Sequence, residues 1–401
     1  MSSVIDHSNE KKLLHALFAC FGFGIMAWLP RFPEVKANLQ LDNGAFGSIV
    51  STGGIGAFLG LLTVGHIIHK FGAFRVTITS ILLLFSSLAL LVQVNSSLPF
   101  LFFNVSFGFG ITAVHVCLNS HGFHLLERGK LNVITSGAGY WSAGSLATSI
   151  LSGLLVGRVA LTTHITILSV LLTVIMLSIV IRLKAVLLEP NTSTDHDYTI
   201  KDIFTSFEID WPVSLGMACV IYLEFALGDW GTIFPKERLD ISAGLSTAPF
   251  IVFTAAMIVG RLLIARLLNF APIQIWAKRG VIFAGIGFGG CIIVATHLPA
   301  NLTWWSYSLF ILGYAMAGLG SSFVAPSFFA AANRRSKLPS AVVVGQFGVT
   351  NTVLTFAVKW IVAWTIQFTG SNALAMMIPT AMMLATIFFT SALKQESARK
   401  S

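Results

Sequence analysis

Charge is what this chain lacks. Only 10% of its 401 residues are Asp, Glu, Lys or Arg, where a soluble domain carries about 25%. Hydrophobic residues make up 55%. No soluble fold of this length hides so much apolar surface, so the solvent is a bilayer. Cysteine is scarce too. Cys20, Cys117, Cys219 and Cys291 each stand alone in an apolar stretch, and read as small core residues instead of a disulfide frame or metal site. A Walker loop, H-E-x-x-H and G-x-S-x-G are all missing, so nucleotide-driven pumping by this chain alone and membrane hydrolysis lose support. No enzyme activity, cofactor or metal is expected. Gly108-x-Gly110-x-x-Ala113 and Gly285-x-Gly287-x-x-Gly290 fit a dinucleotide fingerprint. Both lie inside membrane-length apolar runs and read as close helix packing.

Long apolar runs are what the chain has. About 20 apolar residues cross a bilayer as a helix. Twelve candidates are found, at roughly 13–35, 45–68, 74–94, 98–125, 132–157, 161–183, 212–234, 243–268, 276–297, 303–329, 339–364 and 371–393. The polar start, Met1 to Lys12, precedes a first run too long for a signal peptide, so that run reads as a retained helix. With the N-terminus inside, nineteen Lys and Arg fall in inner segments and five (Arg31, Lys36, Arg158, Lys236 and Arg238) in outer ones. Lys359, left inside a span, completes the 25. This bias puts both termini in the cytoplasm and accounts for the net charge of +9 without a nucleic-acid partner. The loop from Lys184 to Asp210 is acidic. Its Ile200, Ile203, Phe204 and Phe207 have the spacing of an amphipathic turn at the membrane surface.

The chain also repeats itself. Trp28, Phe32 and Pro33 return as Trp230, Phe234 and Pro235, 202 residues later. Gly60 returns as Gly260, and Gly108 with Gly110 as Gly318 with Gly320. Each pair falls at the same place in two matching series of helices. The expected fold is therefore an all-α membrane protein, twelve transmembrane helices in two pseudo-symmetric six-helix bundles. Residues 1–183 and 211–401 form the bundles, and 184–210 the cytoplasmic linker.

The loop between spans two and three runs Gly65-His66-Ile67-Ile68-His69-Lys70-Phe71-Gly72-Ala73-Phe74-Arg75. It resembles the signature loop of the major facilitator superfamily, G-x3-D-[RK]-x-G-x-[RK]-[RK]. Gly65, Lys70, Gly72 and Arg75 match, while His69 stands in place of Asp and Phe74 in place of a basic residue. In the family that Asp latches the two halves, a role His69 can fill only as a hydrogen-bond partner. Further stretches resemble the fucose-permease-like branch and its bacterial inner-membrane relatives. They are Gly108-Phe109-Gly110 followed by His115 to Asn119, Glu224 to Trp230 (similar to E-x4-D-W), and Gly139 to Gly144 around Tyr140 and Trp141. The acid that the branch's fucose carrier places near Met26 is absent, so fucose itself does not carry over. The G-x3-G-P-x2-G-G signature of drug antiporters is missing from 132–157, which favours uptake over efflux.

Charge inside a span costs at least about 2.5–3.5 kcal/mol and asks for a reason. Glu224 and Asp229 are the acids well inside spans, about 140° apart on one helix. Glu224, near mid-membrane, is the proton-coupling candidate, because a carboxyl there can take up and release a proton in the working pH range. The bland alternative is an acid that stays protonated and hydrogen-bonded between helices. Asp229 is a further proton-coupling candidate; it and Lys359 lie at similar depth and suit a gate, a site contact or a static bridge. His115 and Asn119, one turn apart, suit a polar substrate or a share in the proton relay. A neutral His satisfied by a neighbouring helix is the alternative. Trp28, Tyr140, Trp141 and Trp230 offer aromatic faces to a sugar-like ligand, and Gln346 and Asn351 polar partners. Trp304, Trp305 and Trp364 read as interfacial anchors, and Arg31 as a side chain snorkelling to water. His66, His69, His121 and His124 gather at neighbouring span ends without an acid or thiol beside them, a poor metal set.

These features read as a secondary carrier working by alternating access in the inner membrane of a bacterium. Its partners are a small polar solute (sugar-like or a related metabolite), protons and the lipid bilayer, and a monomer is the default. The rivals are an exporter of amphipathic or drug-like compounds and a non-transporting receptor or assembly subunit of the same fold.

Overall fold

The computed structural model describes residues 7–129, 133–187, 189, 209–336 and 340–394. The amphipathic turn expected at Ile200, Ile203, Phe204 and Phe207 lies outside them. Among the described residues all regular structure is helical, and eleven stretches are long and apolar enough to cross a membrane. The chain divides into two compact units, Met1–Leu41 with Ile49–Phe204 and Asp42–Ser48 with Thr205–Ser401.

The first unit holds α1 (His7–Met26), α2 (Phe32–Leu39), most of the helical stretch formed by α3 (Asn43–Ser51) and α4 (Gly53–Phe71), then α5 (Ala73–Leu91), α6 (Ser97–Gly129), α7 (Ile134–Leu155) and α8 (Leu161–Leu183). Within it α1 packs on α7, α4 on α6, and α5 on both α6 and α8. The fifth expected span, α7, is not among the eleven. Its sequence is rich in Gly, Ser and Thr, and these small residues serve packing instead of lipid contact. Ser145 and Ser152 donate to the carbonyls of Gly22 (3.4 Å) and Ala27 (2.5 Å) on the α1 side, and Gly144 lies so close to α1 that a Cβ there would meet the Ala19 carbonyl.

The second unit holds α9 (Trp211–Trp230), α10 (Ile233–Leu239), α11 (Ala243–Leu267), α12 (Ile273–His297), α13 (Thr303–Ser321), α14 (Val324–Arg335), α15 (Ser340–Thr369) and α16 (Asn372–Ala385). Here α9 packs on α15, α11 on α13, and α12 on both α13 and α16. These are the four pairings of the first unit over again. The unit also takes in Asp42–Ser48. Trp364 Nε1 donates to Ser48 Oγ (3.0 Å), Gly44 N donates to Gln367 Oε1 (3.2 Å), and the Phe46 ring stands edge-on to Trp230. The Trp364 ring nitrogen is therefore satisfied by protein.

The repeat reaches individual atoms. Cβ atoms added at Gly108 and Gly318 would run into the carbonyl oxygens of Gly53 and Phe253, partners themselves 200 residues apart. Both α2 and α10 end on a non-glycine residue in the left-handed region, Gln40 (φ 52°) and Asp240 (φ 50°), again 200 apart. Such residues cost about 1–2 kcal/mol and persist only where the surroundings demand the turn. Gly56 tests the packing rule. Its missing Cβ would overlap the Val105 carbonyl, whereas one at Gly65 would meet nothing within 4 Å. Gly56→Ala is expected to lower stability by about 1–3 kcal/mol, the range for overpacking, and Gly65→Ala to leave it unchanged. Thermal unfolding of both in detergent checks this.

Several spans read as single helices are broken. The first bends after Met26 through a 3₁₀ turn, Leu29–Arg31, because Pro30 and Pro33 each open a new helical segment. The second breaks at Thr52, whose hydroxyl donates to Ile49 O. The tenth breaks between Ser321 and Val324, and the twelfth tightens to 3₁₀ over Thr386–Leu393. Two residues depart from their expected settings. Glu10 belongs to α1 and is fully buried, not part of a polar tail. Arg31 does not snorkel. It is 0% exposed and bound to Glu34, to Val159 O (2.7 Å) and to His164 Nδ1 (3.1 Å). Five donors in a planar fork can be satisfied by protein, and here they tie the end of the first span to the start of the sixth.

Candidate functional site

In the first unit the sequence-selected residues occupy two settings. His115, on α6, keeps an exposed ring 6.1 Å from that of Phe21 on α1. Asn119, one turn on, donates to the His115 carbonyl (2.9 Å), so its amide nitrogen bonds back to the backbone of its own helix. On α7 Tyr140 is 47% exposed and stacks on His15 at 4.3 Å, and His15 Nε2 lies 2.7 Å from Ser136 Oγ. Trp141 is half-buried, and its carbonyl accepts from Ser145 Oγ (2.9 Å). Trp28 is 5% exposed, edge-on to Phe32 (4.7 Å) and Phe107 (5.3 Å). Its ring is enclosed by packing and offers no face to a ligand.

In the second unit α9 carries the acids. It starts at Asp210, whose carboxylate accepts from Val213 N (3.4 Å), with Pro212 in the first turn. Asp210 also receives Arg335 Nε at 2.5 Å. Glu224 follows near the middle of the helix. Its Oε1 is buried and has no hydrogen-bond partner among the described residues. An unpartnered buried carboxylate oxygen is costly in the charged form, and it is the feature expected of a group that works by gaining and losing a proton.

Asp229, five residues on, meets Lys359 of α15. Lys359 Nζ stands 2.8 Å from Oδ2 and 3.1 Å from Oδ1. The pair is 16% and 17% exposed, too enclosed to count as a surface bridge. Lys359 also lies 4.9 Å over the Phe225 ring, and Tyr222 donates to Val358 O (3.0 Å), which holds α15 alongside α9 at this level. Trp230 is buried (2%) against Phe46 and, like Trp28, is enclosed by packing.

Asn351 lies eight residues before Lys359 on α15. Helical rise puts it about 4.5 Å from the level of Glu224. Its Nδ2 donates to Phe347 O (2.8 Å), and its Oδ1 is buried without a hydrogen-bond partner among the described residues. Gln346 is buried at the end of the unit where α9 begins. It lines a cavity of about 200 Å³ with Asp210, Ser214, Arg335 and Thr350. A larger cleft of about 470 Å³ lies toward the other end, between Glu237, Arg238, His297 and Asn372. It contains none of the residues selected from sequence; at its wall Arg238 donates to Thr296 O and Asn372 Nδ2 donates to Glu237 (2.9 Å).

The signature-like loop forms the turn between α4 and α5. Gly72 there has φ +81°, a backbone that only glycine adopts readily. His69 is half-buried, and Gly65, Lys70 and Arg75 are exposed. No group of three or more His, Cys, Asp or Glu could hold a metal among the described residues. Sequence reasoning missed three pairings: Glu10 with His121, Arg31 with Glu34 and His164, and Asp210 with Arg335. The Asp-Trp-Pro start of α9 carried a readable cap signal for Asp210, and Arg31 with Glu34 has i,i+3 spacing, but nothing local marks His121, His164 or Arg335 as partners.

Two helical units with matching pairings, and acids and a lysine enclosed within membrane-length helices, define a multi-pass membrane carrier. The Major Facilitator Superfamily model matches residues 14–358, and the chain belongs to that superfamily. It is a transporter and not an enzyme, working on a small-molecule substrate in a membrane. An uncharacterized MFS-type transporter of Yersinia pestis is 26% identical over 82% of this chain and 82% of its own. Membrane protein MosC of Rhizobium meliloti is 24% identical over 81% and 77%. Among solved structures, a single-site variant of the nucleoside transporter NupG has the same fold, with a TM-score of 0.77 at 14% identity over 96% of this chain and 100% of that one. A D-xylose-proton symporter superposes with a TM-score of 0.71 at 13% identity over 95% and 97%.

Proposed function

We propose that this protein takes up a small polar solute, sugar-like or a related metabolite, together with a proton. It does so by alternating access between halves 1–183 and 211–401, joined by the linker 184–210. It resides in the bacterial cytoplasmic membrane with both termini inside, as the Lys and Arg bias supports. Glu224 carries this reading: an acid in mid-helix with a buried, unpartnered oxygen is a proton site by chemistry. Asn351 near its level supplies a hydrogen-bonding group, as do His115, Asn119, Tyr140 and Trp141 on the first half. Asp229 and Lys359 serve as the gate pair. The fold shared with a nucleoside transporter and a sugar–proton symporter supports a polar substrate. The motifs at Gly108 to Asn119 and Glu224 to Trp230 support the fucose-permease-like branch.

The test is thermal unfolding of the detergent-purified protein against sugars, nucleosides, organic acids and amphipathic cations. A ligand at about 100 times its dissociation constant adds roughly 2.7 kcal/mol of stability. A sugar or nucleoside is expected to produce that shift. Shifts from amphipathic cations alone would replace the uptake reading with an exporter.

A further inference from the structure

The turn between α11 and α12 carries positive charge that the chain around it does not balance. From Ile241 to Gln395 the sequence has no Asp or Glu, yet it has nine Lys and Arg. Arg266 stands in the last turn of α11, and Lys278 and Arg279 follow within the first two turns of α12. All three are exposed, and none has an ion-pair partner among the described residues. By contrast Arg335 is paired with Asp210, and Lys359 with Asp229.

Apolar groups share this surface. Phe270 in the turn is 82% exposed, Leu268 46%, and Ile275, one helical turn before Lys278 and Arg279, 41%. Trp276 crosses the turn. Its Nε1 donates to Leu267 O (2.7 Å), and the Arg279 guanidinium lies 5.1 Å over its ring. The indole thus holds one of the three cations in place where two membrane-length helices end. An exposed phenylalanine among unpaired cations is poorly matched to water. It is well matched to the boundary of a bilayer, where apolar side chains meet acyl chains and cations meet headgroup phosphate.

We propose that this turn binds an anionic phospholipid of the leaflet it faces, the inner one in the orientation proposed above. Arg266, Lys278 and Arg279 meet the headgroup phosphate, and an acyl chain lies against Leu268, Phe270 and Ile275. The acidic loop 184–210 is the rival occupant within the chain, because its carboxylates complement the same charges. Lipid is favoured because α11 and α12 are both of membrane length, so their ends stand in a bilayer whatever the loop does. The binding is independent of Glu224 and does not require the uptake reading.

The experiment uses the full-length protein in detergent and needs no substrate. Phosphatidylglycerol and phosphatidylcholine with identical acyl chains are added, and the lipids retained are counted by native mass spectrometry. Each Lys or Arg near an anionic headgroup is worth roughly fivefold in binding. Wild type is therefore expected to prefer phosphatidylglycerol by about a hundredfold, and the double variant Arg266→Gln, Lys278→Gln by only about fivefold. Arg334→Gln with Lys394→Gln removes the same net charge from other exposed positions of the unit and should keep the preference. Phe270→Ser should weaken both lipids alike. All these side chains are exposed, so the fold should survive. Equal losses in the two double variants, or a wild type that does not distinguish the lipids, would overturn the proposal. Release of the bound lipid by millimolar inorganic phosphate would replace it with a site for soluble anions. A preference that emerges only after Asp195, Asp197 and Asp202 are changed to Asn would give the turn to the acidic loop.

Discussion

Glu224→Gln is expected to abolish accumulation while leaving exchange intact. One proton moved with each substrate across about 100 mV supplies roughly 2.3 kcal/mol, enough for about a 50-fold gradient. Glutamine keeps the size and one hydrogen-bonding oxygen of Glu224 but cannot take up a proton. Glu224 Oε1 has no hydrogen-bond partner among the described residues, and the substitution is isosteric, so the fold should survive. In proteoliposomes with an imposed potential, wild type should concentrate substrate by that order. The variant should only equalise it, with counterflow near wild type. A variant that still accumulates substrate would remove Glu224 from the coupling mechanism. If Glu224 is the coupling carboxyl proposed above, the pH dependence of binding should flatten in the same variant.

Breaking the Asp229–Lys359 pair should carry the second large effect. Each charge is about one-sixth exposed, and removing one partner leaves the other enclosed without its counter-charge. The cost of such an orphaned charge is about 3 kcal/mol. Lys359→Met and Asp229→Asn are each expected to lower the unfolding free energy by about that amount. The double variant should recover most of the loss, since no charge is then stranded. Lys359→Met also gives up the contact with Phe225, so it should be the worse of the two singles. A double-mutant cycle on unfolding measures the coupling, and transport assayed alongside separates a gate from a static tie. A gate variant would fold yet leak or stall. Additive losses would show that the pair is not coupled.

Much of this architecture is legible before any coordinates. Scarce charge and long apolar runs require a membrane. The repeated Trp, Phe, Pro and Gly positions mark two related halves, and the packing partners of Gly108 and Gly318 lie 200 residues apart. Glu224, Asp229 and Lys359 stand out because charge inside an apolar run has few innocent explanations. Other features were not legible. Arg31 and Glu10 look like residues at a span end reaching water, because the signal for burial lies in partners more than 100 residues away: Val159 and His164 for Arg31, His121 for Glu10. Trp28 and Trp230 look like cavity aromatics by composition, yet their neighbours enclose them.

By itself the sequence determined the solvent, the helical class, the duplication and the few charges that a bilayer makes expensive. Each of these follows from local composition or from spacing along the chain. Tertiary structure decided which of those charges pair, which polar atoms are left without a partner, and where long helices break. Those outcomes depend on which surfaces meet in space, and helix packing in a membrane turns on small residues and single hydrogen bonds that leave no periodic trace in the sequence. The pairing of Asp229 with Lys359, the enclosure of Glu10 by His121 and the solitary oxygen of Glu224 belong to that second kind.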